Sequence, residues 1–130
     1  MKLTSLDSNV VLRLILDDVP DQSTKATAFV GESPCYVTDV VVSECVFVLE
    51  KVYKLDRDRI GDLMTILFKL NTVTFNENIM AKTFELYRAW RPLSFVDCYS
   101  IVEAVFDGND LVTFDRALMK KGAPNAKEPK

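Results

Sequence analysis

Histidine is missing altogether from the 130 residues. That absence removes the Ser-His-Asp and Cys-His nucleophilic schemes, histidine-ligated zinc and the commonest general base. Cysteine is scarce: Cys35, Cys45 and Cys98 are odd in number, lie in apolar runs and form no C-x-x-C pair. They read as small buried hydrophobes in a reducing cytoplasm. Long hydrophobic runs are lacking too, since the longest, 10–16 and 40–49, are broken by Arg13 and Glu44. Both fall short of the roughly 20 residues that span a bilayer, so a soluble chain with no membrane partner is expected. Met1-Lys2-Leu3-Thr4 leads into an acidic, strand-like segment instead of an apolar region with a small-residue cleavage site. No export is expected, and the predicted location is cytoplasmic. Repeats and low-complexity tracts are absent as well.

What remains is enough for one core. With 48% hydrophobic residues in 14.7 kDa, residues 1–130 are expected to form a single domain, with 122–130 as a polar tail. The formal charge of −3 and pI near 5.0 argue at first against a nucleic-acid partner. Bound divalent ions would outweigh that charge at the one place where a phosphate must sit.

The hydrophobic periodicity alternates short strands with helices. Residues 2–6 read as a strand and 9–16 as a helix; after an acidic turn at 17–21, residues 23–30 read as a helix stopped by Gly31. Cys35 to Thr38 reads as a buried strand, with Asp39 as the cap of a helix reaching about Tyr53. Asp56 to Leu70 carries Ile60, Leu63, Met64, Leu67 and Phe68 on one face, which predicts a second helix antiparallel to the previous one. Asn71 to Phe75 is β-rich, and 77–89 and 94–106 are helical, the latter with a stripe of Cys98, Ile101, Val102 and Val105 and Gly108 closing it. Residues 110–114 then read as a strand and 116–121 as a short helix. Strands alternating with helices predict an α/β fold: three layers, α/β/α, around a central, mostly parallel sheet of four or five strands. Functional groups in such folds gather at the carboxyl ends of the strands.

Four acids, Asp7, Glu44, Asp97 and Asp115, interrupt apolar stretches in this pattern. An ionised carboxylate taken out of water is costly unless it is paired or bound to a cation. Glu44, expected on a helix face with Val40, Val41, Phe47 and Val48, has no evident local partner. A divalent ion held jointly explains all four positions with one object, and oxygen ligands suit Mg²⁺ or Mn²⁺. Each acid also has a structural reading. Asp7 and Asp115 sit where a helix begins, and Ser94-x-x-Asp97 matches a capping box. Asn9 and Thr113, two residues from Asp7 and Asp115, are candidates to hydrogen-bond a carboxylate or a water, or else simply serve the helix start and the strand. Arg116, Lys120 and Lys121 are candidate RNA-phosphate contacts, the alternative being a solvated helix face.

The chain resembles the PIN-domain nuclease family, in particular its small single-domain members of the VapC toxin type. The resemblance rests on Leu6-Asp7-Ser8-Asn9, on Thr38-Asp39-Val40-Val41-Val42-Ser43-Glu44, on Phe95-Val96-Asp97 and on Leu111-Val112-Thr113-Phe114-Asp115, in that order and spacing. It implies a Mg²⁺- or Mn²⁺-dependent endoribonuclease, a homodimer, and inhibition by a cognate antitoxin. Asp7, Glu44, Asp97 and Asp115 match the family's acidic quartet, and Asn9 and Thr113 its polar accessory positions. The polar tail departs from the family, because it lacks a clear final strand.

Two other classes stay open. A phospho-receiver also places acids at strand ends, but it needs an early acid pair and a late strand-end lysine, neither of which is evident here. A module of the same fold that binds RNA or a protein without cleaving is the other alternative.

Overall fold

A computed structural model describes residues 2–130. Among them the chain runs β1 (Thr4–Ser5), α1 (Ser8–Leu16), α2 (Pro20–Glu32), β2 (Cys35–Tyr36), α3 (Asp39–Lys51), α4 (Arg57–Phe68) and β3 (Val73–Thr74). It continues through α5 (Glu77–Ala89), α6 (Phe95–Phe106), β4 (Leu111–Val112), α7 (Arg116–Gly122) and β5 (Ala126–Lys127). This is an α/β protein with parallel strands, as the sequence pattern implies. Contacts gather into two compact units, one ending at Asn76 and the other formed by Glu77–Lys130.

In the first unit the strands stand in the order β1-β2-β3, all parallel, with Thr4 opposite Cys35 and Cys35 opposite Val73. Parallel neighbours require crossovers. Helices α1 and α2 supply one between β1 and β2, and α3 and α4 supply the next. Helix α1 buries Val11, Leu12 and Ile15 and packs on α2, α3 and α4. It ends at Asp17, whose backbone is left-handed at φ 52°.

Helix α2 is longer than the sequence pattern implies. It begins at Pro20, not Ser23, because proline is tolerated in a first helical turn, where its missing N–H has no partner to lose. Gly31, read as a stop, lies inside the helix. Ser23 is buried, and its hydroxyl donates to the carbonyl of Arg13 at 2.8 Å.

The cap of α3 is Thr38, one residue before the expected Asp39; its Oγ1 accepts the Val41 N–H at 3.2 Å. Helix α4 follows its predicted face, burying Ile60, Leu63, Met64 and Leu67 below an Asp56 cap. Phe68 is only half-buried and stacks on Phe75, with ring centroids 4.1 Å apart.

In the second unit α5 occupies its predicted span. It packs on α6 through an aromatic cluster in which Phe95 lies 5.0 Å from Phe84 and 5.4 Å from Tyr87. Helix α6 buries Phe95, Cys98, Ile101 and Ala104. Val105, assigned to that stripe from sequence, is 53% exposed instead, because the buried row continues through Ala104. Gly108, at φ 72°, turns the chain away at the helix end as expected.

Strand β4 pairs in parallel with β5, Leu111 opposite Ala126. The tail is therefore not merely polar: Gly122 ends α7, Ala126 is buried, and the fifth strand forms. The five strands are two residues each and fall in two ladders, β1-β2-β3 and β4-β5.

Candidate functional site

Three of the four acids sit at helix N-termini, where unpaired backbone N–H groups need acceptors. Asp7, after β1, caps α1; its Oδ1 accepts the Ser8 N–H at 2.8 Å. Asp115, after β4, caps α7; its Oδ1 accepts the Leu118 N–H at 3.0 Å. Asp97 completes the predicted capping box. Its Oδ2 accepts the Ser94 N–H at 3.1 Å while Ser94 Oγ accepts the Asp97 N–H at 3.1 Å. Each carboxylate thus commits one oxygen to the backbone. Capping and ligation are compatible roles, because a carboxylate has two oxygens and the cap fixes the direction of the second.

Glu44 differs from its expected setting. Helix α3 turns Val42, Cys45, Val46 and Leu49 inward, so the remaining face, with Val40 78% and Phe47 59% exposed, points to water and Glu44 with it. Asp7 and Asp115 are exposed as well, and Asp97 is half-buried. The expectation that these acids are withdrawn from water is corrected accordingly. They stand at the rims of apolar elements, where hydration relieves the charge.

In the first unit the start of α1 and the helix α3 meet at one thiol. The Cys45 thiol is wholly buried and donates weakly to the Ser8 carbonyl at 3.9 Å. Burial pushes it up to about 12, and the negative charges of Glu44 and then Asp7 push the same way. Cys45 thus links the start of α1, through the Ser8 carbonyl, to α3, where Glu44 is its neighbour in the chain. Sequence reading placed Cys45 correctly in the core but missed this position, although its adjacency to Glu44 was the available signal. Cys35 and Cys98 are buried too.

In the second unit Asp97 and Asp115 stand at the starts of α6 and α7. Among the described residues, no group of three or more Asp, Glu, Cys or His side chains is arranged to hold a metal ion. Each acid taken singly has the chemistry of a hard-cation ligand: an anionic oxygen within reach of water, each aspartate pinned by a backbone bond, and among the described residues no salt bridge from any of the four to an arginine or lysine.

The accessory positions divide. Thr113 Oγ1 accepts the backbone N–H of Asp115 at 3.0 Å, so it steadies the strand-to-helix turn and not the carboxylate directly. Asn9 is exposed on the first turn of α1. Arg116 and Lys120 are exposed on α7, while the Lys121 ammonium lies 4.0 Å from the centre of the Trp90 ring, a cation–π contact.

The PIN-domain family matches residues 5–123, which takes in the end of β1, all of β4, all four acids and most of each unit. The chain belongs to the PIN-domain family. PIN domains are in general metal-dependent nucleases, so nuclease chemistry is the class of activity this fold carries. No curated protein is similar enough to add an individual relative to that match.

Proposed function

We propose that the chain is a divalent-metal-dependent endoribonuclease of the VapC toxin type, acting on RNA in the cytoplasm as a homodimer held in check by a cognate antitoxin. The observation that carries the reading is the match to the PIN-domain family over residues 5–123, a span that includes Asp7, Glu44, Asp97 and Asp115. In this reading residues 1–130 form one functional domain, supported by the family match running across both units. Asp7, Glu44, Asp97 and Asp115 together bind Mg²⁺ or Mn²⁺.

When bound, the ion supplies Lewis acidity for hydrolysis of a phosphodiester. The chain's own contribution is orientation. Asp7, Asp97 and Asp115 each have one oxygen held by an N–H at a helix start, where the partial positive charge favours the ionised carboxylate. Thr113 keeps the Asp115 turn in place. Arg116 and Lys120, exposed beside Asp115, are suited to the RNA backbone; Lys121 contributes through its place on Trp90.

The test is cleavage of defined RNAs by wild-type and Asp97→Asn proteins, with Mn²⁺, with Mg²⁺ and with a chelator. Cleavage is expected only from the wild type with metal. Persistent cutting by purified Asp97→Asn protein would exclude the assigned role.

A further inference from the structure

A groove of about 460 Å³ opens in the first unit between β1, α1 and α2. Its volume lies within the roughly 300–1,000 Å³ of small-ligand sites. None of its lining residues is acidic, although the chain carries 19 Asp and Glu. Two are cationic, Arg13 and Lys25, and two are amides, Asn9 and Gln22. Leu6 is part of its apolar surface, and Phe29, which also lines it, is 46% exposed.

We propose that this groove binds one unpaired nucleotide of the RNA strand, next to the bond that is cut. The proposal rests on the nuclease reading and deepens it. Leu6 and Asn9 both line the groove and flank Asp7 in the chain, so the groove opens at the same strand-to-helix turn that carries Asp7. The Phe29 ring offers a face on which a base can stack, and the Asn9 and Gln22 amides offer donors and acceptors for its edge. Lys25 is exposed and stands one helical turn before Phe29, placed for the adjoining phosphate. The Arg13 Nε is buried without a partner, a donor still open at the groove wall, while the Nη atoms of the same guanidinium are engaged by Asp18 and Tyr53, so Lys25 is the groove's uncommitted cation. An acidic peptide with apolar anchors shares the charge logic, but it makes less use of the amides and of a flat exposed ring.

Short single-stranded RNAs carrying 2-aminopurine test the assignment, with binding read by fluorescence in an Asp97→Asn background with Mn²⁺. Cleavage kinetics are measured in the otherwise wild-type chain. Phe29→Leu and Lys25→Gln are surface changes, and circular dichroism confirms that each folds. Binding roughly tenfold weaker and a raised KM with little change in kcat are expected for both, with Phe29→Tyr restoring binding. Unchanged RNA affinity and KM in both variants overturn the groove assignment while leaving the nuclease reading intact. If the wild type cuts no RNA, the nuclease reading fails; a fluorescence change still lost in Phe29→Leu would then support the groove as an RNA site by itself. A labelled peptide alternating Glu and Leu that binds through Phe29 and Lys25, with RNA binding unaffected, also overturns it.

Discussion

Arg13 donates from Nη2 to the phenolic oxygen of Tyr53 at 3.0 Å, tying helix α1 to the segment after α3. Tyr53 passes the interaction on, donating to Asp18 Oδ2 at 3.0 Å, and Asp18 also approaches Arg13 Nη1 at 3.5 Å. Tyr53→Phe removes the shared oxygen and takes from the part-buried Arg13 Nη2 its acceptor, while Asp18 keeps its contact with Arg13 Nη1. A loss of about 1–2 kcal/mol is expected. Urea denaturation checks this: an unchanged midpoint would show that water replaces the phenol at no cost.

Divalent metal should stabilise the protein. Mg²⁺ or Mn²⁺ is expected to raise the melting temperature of the wild type, since a ligand bound only by the folded state shifts the folding equilibrium. Asp7→Asn and Glu44→Gln should lose most of that rise while remaining folded without metal. A wild-type melting curve indifferent to both ions would remove the linkage.

The Cys45 thiol gives an alkaline signature. Its folded value, about 12, lies above the ordinary 9.0, so the folded protein holds a proton that the unfolded chain gives up. The resulting stability is complete below pH 9 and is lost as pH rises from there through about 12. Ultraviolet absorbance of thiolate should therefore appear later for Cys45 in native protein than in denatured protein. Cys45→Ala should flatten part of the decline in stability above pH 9. Early titration of Cys45 in the native state would contradict its burial in the core.

Gly122 should resist any side chain. A Cβ there would lie 2.7 Å from the Ala126 Cβ and 3.5 Å from Ile101 Cγ1. Gly122→Ala is expected to force β5 away from α7 and to cost roughly 1–3 kcal/mol. Faster amide exchange at Leu111, whose N–H donates to Asn125 at 2.9 Å, would report that displacement. Unaltered exchange and melting would mean that the β5 turn yields freely.

The parts legible in the sequence are those decided locally. Helix α5 and the Ser94–Asp97 box follow from spacing alone, because capping involves residues three apart. The orientation of α3 is a tertiary choice. Val40, Val41, Phe47 and Val48 offered one apolar stripe and Val42, Cys45, Val46 and Leu49 another, and packing against α1 and α4 selected the second. That selection moved Glu44 into water. Strand β5 escaped notice because two residues carry no alternation, and only the partner strand β4 makes them a strand. The groove likewise depends on residues separated by two helices' worth of chain, which no local window joins.

Because Asp7, Asp97 and Asp115 each close the start of a helix, truncating them to alanine would unseat a helix end and delete a charge in one stroke. An inactive alanine variant could then owe its silence to fraying. Asparagine keeps an oxygen for the backbone amide while surrendering the anion, and so separates architecture from chemistry at three positions of this protein.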